Sequence, residues 1–344
     1  MQNDKTRLYY LDAIRGIAAL MVVFSHYAER TPVHSFRVFE FFRPGQFGVV
    51  VFFMLSGFVI PYSFKHGGGD VRGFLISRFF RLYPAYWFSV LLAAVSATLF
   101  LQTPISSKMI MANLTMIQKL LGYPDAFGIY WTLLVELIFY ALCVLMALMG
   151  FIYNLKVRMT LSIFLLFIGL VTSFARFKYG VSMPVGVIVS LSMMLFGSMW
   201  REFVVNGNNV AMKCSFLWVV LFIVIFPFIS IFAYNFDRGL GENAVNYSIS
   251  FISGVVAFML LTTVFKIYGK IFIYLGAISY SIYLLHPFVL EFTNSKLNLN
   301  SDFYLVAFIA YVLATILLAS ISYHFIEKPS VVLGRRLKHV FCCR

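Results

Sequence analysis

The sequence predicts an all-α integral membrane protein of about ten transmembrane helices, with the N-terminus and C-terminus both cytosolic. Three observations carry this. Hydrophobic residues make up 61% of the 344 and charged residues only 12%, with a mean hydropathy of +0.89. A soluble domain holds roughly 45–50% apolar and about 25% charged residues. The 40 Phe, 20 Tyr and 4 Trp exceed what a soluble surface can hide. Long apolar runs also recur along the whole chain, with short basic segments between them. A soluble enzyme, a disordered scaffold and a secreted disulfide domain are excluded.

A spanning helix needs about 20 predominantly apolar residues. Ten runs qualify, at about 8–28, 46–64, 82–101, 128–150, 157–175, 182–203, 214–234, 246–266, 271–292 and 302–324. The first carries Asp12 and Arg15 inside the run, and no small-residue cleavage site follows, so it is not a removable signal peptide. With the N-terminus inside, the inner segments hold 17 Lys and Arg against 9 outside, which sets the orientation. Arg30, Arg37 and Arg43 in the outer 28–45 segment run against this trend without reversing it. The widest gap, about 102–127, leaves room for a short extracytoplasmic helix. No linker separates domains and no internal repeat is evident. A single membrane domain over 1–344 is expected, with a core of about 8–324 and a basic cytosolic tail at 325–344.

The net charge of +14 is spread through short segments between apolar runs. Such placement orients helices and meets anionic headgroups or anionic cytosolic ligands rather than nucleic acid. Cys143, Cys214, Cys342 and Cys343 have neither zinc-ligand spacing nor a disulfide framework, and no metal is expected. Phe341, fourth from the end, rules out a prenylation box. The Gly67-Gly68-Gly69 run lacks the Lys-Ser/Thr of a phosphate loop.

Ionisable groups inside a bilayer cost roughly 2.5–3.5 kcal/mol each on insertion scales, so those present are the functional candidates. In the first helix, Arg15 and His26 stand eleven positions apart. That is three turns plus about 20°, on one face and about 16 Å apart along the axis. Asp12 lies one turn before Arg15 and can pair with it. The competing reading of this stripe is a buried Arg–Asp staple with a histidine at the interface. Histidine suits proton transfer near neutrality because its ordinary pKa is about 6.5. In the fourth helix Thr132, Glu136 and Tyr140 form one polar stripe at i, i+4, i+8. Glu136 is either a structural carboxylate or the group that orients a catalytic histidine. In the ninth, Ser279, Tyr283 and His286 share a face, and Pro287 removes a backbone hydrogen bond just past the histidine. His286 is equally readable as a satisfied core residue. Ahead of the third span lies Arg72-Gly73-Phe74-Leu75-Ile76-Ser77-Arg78-Phe79-Phe80-Arg81-Leu82-Tyr83-Pro84, with Lys65 nearby. If helical, it puts Arg78 and Arg81 on one face, where guanidinium forks bind phosphate bidentately. A plain positive-inside signal is the alternative.

The order of these motifs resembles the acyltransferase-3 family of membrane acyltransferases over nearly the whole chain. The most specific part is an arginine, ten residues and a histidine in the first helix, here Arg15 and His26 within Leu11-Asp12-Ala13-Ile14-Arg15-Gly16. Phe52-Phe53-Met54-Leu55-Ser56-Gly57-Phe58, Arg78 and Arg81 before Tyr83-Pro84, Trp131-Thr132-Leu133 with Glu136, Ser279-Tyr280 through His286, and Glu327-Lys328-Pro329 complete it. The family's usual serine after the fourth-helix tryptophan is Thr132 here. The resemblance implies acyl-coenzyme A as a cytosolic donor, most often acetyl-CoA, with Arg78 and Arg81 on its phosphates and Arg72 beside them. It also implies Arg15 and His26 as essential to transfer. The implied acceptor is a hydroxyl of a bacterial surface glycan such as O-antigen or exopolysaccharide, as a lipid-linked sugar or a finished polymer, at the inner membrane.

Four mechanistic roles follow as expectations. Arg15 stabilises a donor dipole or the developing oxyanion. His26 acts as general base on the acceptor hydroxyl, or as the nucleophile of an acyl-imidazole route. Glu136 holds its tautomer and His286 assists at the acceptor. A ten-helix transporter or flippase with a His/Glu/Arg relay also explains intramembrane charge, and it predicts ion coupling with no covalent product. A non-enzymatic subunit predicts that His26 is dispensable.

Overall fold

Helix dominates because a bilayer offers no partner to an unpaired backbone N–H or C=O. The computed structural model describes residues 8–64, 70–234, 243–296 and 304–342, so Lys65, Gly67-Gly68-Gly69 and Cys343 lie outside the described residues. The helices are α1 (Tyr9–Ala28), α2 (Val38–Phe41), α3 (Pro44–Val59), α4 (Val71–Leu99), α5 (Ser107–Leu114), α6 (Trp131–Leu148) and α7 (Leu155–Tyr179). They continue with α8 (Val185–Asn206), α9 (Asn209–Ala233), α10 (Ala244–Thr263), α11 (Lys270–Ala277), α12 (Ser279–Lys296), α13 (Tyr304–Ser322) and α14 (Lys328–Cys342). Among the described residues there is no strand. Among the described residues nine spans are long and apolar enough to cross a membrane, or ten when α11 and α12 count as one broken span. The all-α membrane fold is therefore as expected.

Side-chain caps fix several helix starts. Asn154 accepts from Val157 N, Asn208 from Val210 and Ala211 N, and Asp70 from Gly73 N, each supplying an acceptor to an orphan donor. Gly180 and Gly207 end α7 and α8 in the left-handed region, with φ of 65° and 67°.

The chain divides into two compact units. The first holds Met1–Ser25, His34–Ser63 and Leu148–Ala277. Its helices approach through small residues, the usual solution where lipid removes the hydrophobic drive. A Cβ on Gly57 would stand 1.7 Å from the Met194 carbonyl oxygen, so α3 and α8 touch backbone to backbone. An aromatic column through Phe196, Trp218, Phe222, Phe226 and Phe251 fills its interior, with successive centroids 4.4–4.9 Å apart. Arg158, 1% exposed, donates to Glu202 at 3.2 Å and to the Tyr62 hydroxyl at 3.0 Å. Tyr62 in turn donates to Glu202 at 2.5 Å, so this buried arginine staples α7 and α8 to the end of α3. In the same unit Arg15 lies 3.6 Å from Asp12, the pairing expected from their spacing.

The second unit holds His26–Val33, Phe64–Ala147 and Ile278–Arg344. Two of its elements depart from the expected boundaries. The stretch 72–84, expected ahead of the third span, is the start of α4, which runs through Pro84. Proline is tolerated inside a membrane helix where neighbours re-satisfy the freed backbone groups. The segment expected as a tail is also ordered. A π turn over Tyr323–Glu327 leads into α14, which packs along α4. Lys338 pairs with Asp70 at 2.8 Å. Gly334 meets Phe80, where a Cβ would stand only 2.7 Å away. The expected short helix in 102–127 is α5, held under α4 by Tyr86 donating to the Asn113 carbonyl at 2.6 Å.

Candidate active site

α1 places His26 in its last turn, and α12 places His286 midway along its length. The two imidazoles meet although 260 residues separate them, with His26 Nδ1 and His286 Nε2 2.9 Å apart. Their ring centroids are 5.1 Å apart at 32°. His286 is fully buried and its Nδ1 lies 3.2 Å from the Ile282 carbonyl. A carbonyl only accepts, so that nitrogen carries a proton. In a neutral ring the Nε2 of His286 is then a lone pair, and it accepts from His26 Nδ1–H. The chain of bonds leaves the lone pair of His26 on Nε2. His26 is half-buried, and this nitrogen is the basic atom of the pair.

The stripes on α6 and α12 also join. Thr132 Oγ1 and the Tyr283 hydroxyl are 2.9 Å apart, and Tyr283 flanks the His286 ring at 5.9 Å. Glu136 accepts from Tyr140 at 2.6 Å. Glu136 thus bonds within its own stripe, and His286 stands against the His26 ring.

Two arginines of α4, Arg78 and Arg81, are set against aromatic rings. Arg78 lies 5.6 Å from the Phe74 centroid and 5.9 Å from that of Tyr140, whose hydroxyl is held by Glu136. Arg81 is hydrogen-bonded to Glu327 and lies 5.9 Å from the Tyr280 ring. Glu327, 1% exposed, also accepts from Ser281 at 2.9 Å. The wide turn of the π segment, in which Lys328 N reaches Tyr323 O, coincides with this inward carboxylate. Arg72 is exposed in the first turn of α4. The structure therefore joins His26 to His286 and gathers Arg78, Arg81 and Glu136 along α4 and α6. Arg15 is paired with Asp12 within the first unit.

Three charged residues escaped the sequence reading as site candidates. Glu327 entered only as part of a motif, although a carboxylate just past an apolar run is a signal in its own right. Arg30 and Glu291 form an ion pair at 2.7 Å. Glu291 stood visible as a carboxylate inside the ninth apolar run.

Comparison with known proteins supplies the chemistry. A relative from Rhizobium radiobacter, "Protein 2 in picA locus", is 36% identical over 100 residues, covering 27% of this chain and 47% of that protein. The chain thus spans about half the length of the curated relative it matches. No solved structure matches. The family profile described as an acyltransferase domain matches residues 8–324, from the first spanning helix into the π turn before α14. The chain belongs to the acyltransferase-3 family of membrane proteins and carries the apolar helices of a multi-pass membrane protein.

Proposed function

We propose that this chain is an O-acetyltransferase of the bacterial inner membrane, carrying an acetyl group from cytosolic acetyl-CoA to a hydroxyl of a surface glycan such as O-antigen or exopolysaccharide. In this reading both termini are cytosolic and 1–344 acts as one acyltransferase domain. The observation that carries the chemistry is the 2.9 Å contact of His26 Nδ1 with His286 Nε2, which leaves a lone pair on His26 Nε2. In direct transfer His26 Nε2 takes the acceptor proton as the hydroxyl oxygen attacks the thioester carbon. Collapse of the tetrahedral intermediate breaks the C–S bond, and the thiolate recovers that proton from His26. In the two-step form the same nitrogen attacks the thioester carbon and the C–S bond breaks to release the thiolate. The acceptor oxygen then attacks the acyl-imidazole, the C–N bond breaks, and the freed Nε2 takes the hydroxyl proton and passes it to the thiolate. Hydroxylamine trapping of acetyl on His26 separates the two forms. His286 accepts from Nδ1–H in both.

Arg78 and Arg81, with Arg72 beside them, take the phosphates of the donor. Two arginines one turn apart on α4, each set against a ring that fixes its fork, support this assignment. Arg15 meets the donor's developing oxyanion. Glu136 holds Tyr140 beneath Arg78. The test is mass spectrometry of the surface glycan from cells expressing wild type, His26→Ala or no protein, before and after mild alkali. A base-labile increment of one acetyl group is expected with wild type alone. An equal increment with His26→Ala at matched membrane levels defeats the assignment.

A further inference from the structure

Arg30 and Glu291 stand one turn beyond the histidine pair. Arg30 follows His26 by four residues and Glu291 follows His286 by five, so the partners advance together along the two segments. Along α12 the rise is about 7.5 Å, and Arg30 stands two residues past the end of α1. Arg30 Nη2 donates to Glu291 Oε1 at 2.7 Å. The Glu291 side chain is 10% exposed while that of Arg30 is 41% exposed. A guanidinium has five N–H donors and a carboxylate two oxygens, so one hydrogen bond leaves donors and an acceptor oxygen for a ligand. The Tyr27 ring stacks on Tyr311 with centroids 5.4 Å apart, and its hydroxyl donates to the Tyr304 carbonyl. This anchors the end of α1 from which Arg30 projects.

We propose that Arg30 and Glu291 form the subsite that selects the acceptor, binding hydroxyls that neighbour the one reacting at His26 Nε2. The inference rests on the proposed acetyl transfer and names its acceptor class as a polyol. The pair offers donors and an acceptor side by side, the complement of a vicinal diol, whose oxygens both donate and accept. Its offset of one helical turn from His26 is about the width of a hexopyranose ring. A lone alcohol reaches the histidine without engaging the pair, and a site built to bond hydroxyls discriminates against a substrate lacking them.

The experiment uses the full chain in lipid nanodiscs with radiolabelled acetyl-CoA and two acceptor probes, methyl α-D-glucopyranoside and 1-propanol. Wild type is expected to favour the glucoside by at least about tenfold in kcat/KM. In Glu291→Gln that preference is expected to fall about tenfold, chiefly through a higher KM for the glucoside. Arg30→Gln, at the more exposed position, repeats the test should the buried variant fold poorly. A pair that merely clamps the helices lowers both rates together, and a preference within twofold of wild type in both variants overturns the inference. A wild type that acetylates neither probe overturns instead the transfer reading beneath it.

Discussion

Replacing His286 tests the histidine pair most directly. The ring is fully buried and contacts no part of the proposed donor subsite, so its effect must pass through His26. When His26 takes up a proton its Nδ1–H bond to His286 Nε2 becomes charge-assisted, a class that contributes about 1.5–3 kcal/mol. Lost from the transition state, that is about a 10- to 160-fold fall in kcat. His286→Ala should show that fall with little change in KM for the donor. His286→Gln puts an amide oxygen near the position of Nε2, where it accepts from the same N–H, and should recover activity to within about tenfold of wild type. The assay is thiol release from acetyl-CoA in the presence of acceptor, with thermal unfolding in detergent to compare folded fractions. Because His26 must be neutral to act, the wild-type rate should rise with pH as its imidazolium loses a proton and then level off. A His286→Ala rate within twofold of wild type, or a glutamine variant no better than alanine, refutes the pairing as a working part of the site.

The remaining predictions concern the framework and the donor side. Gly57→Ala forces a Cβ to 1.7 Å from the Met194 carbonyl oxygen and should cost about 1–3 kcal/mol or more through overpacking, read as lost folded protein on size-exclusion chromatography. Gly128→Ala, where an added Cβ meets nothing within 4 Å, should be neutral in the same measurement. Arg158→Leu leaves Glu202 without its buried cation and should destabilise by about 3–5 kcal/mol. Adding Glu202→Leu should restore part of that melting temperature, since the two residues share one interaction. Glu327→Gln removes the carboxylate that fixes Arg81 and should raise KM for acetyl-CoA about five- to tenfold with a smaller change in kcat. An unchanged KM removes Arg81 from the donor subsite.

What the sequence displays is one side of each contact. Apolar run length and helical spacing are local quantities, so the spans, the Asp12–Arg15 pairing and the shared faces of Thr132, Glu136 and Tyr140 could be read directly. Partners across helices could not, because periodicity says which face a residue occupies and nothing about what stands opposite. His26 and His286 were both singled out, yet their meeting depends on the packing of α1 near α12. Glu136 shows the converse. The imidazole expected beside it lies off its own helix, while the Tyr140 hydroxyl four residues along donates to it at 2.6 Å. A polar stripe within a membrane helix should therefore be asked first to satisfy itself at i, i+4, and only the residue left over should be sent to look for a neighbour. Arg30 is a related case. It counts with the bases that set topology, and it also pairs with Glu291 at 2.7 Å. Basic residues flanking a span carry both kinds of information, and an unmatched carboxylate in a nearby apolar run is the signal that separates them. Arg81 obeys the same rule. A base at the head of a span, it is claimed by Glu327, the carboxylate that the π turn directs inward just beyond the last apolar run.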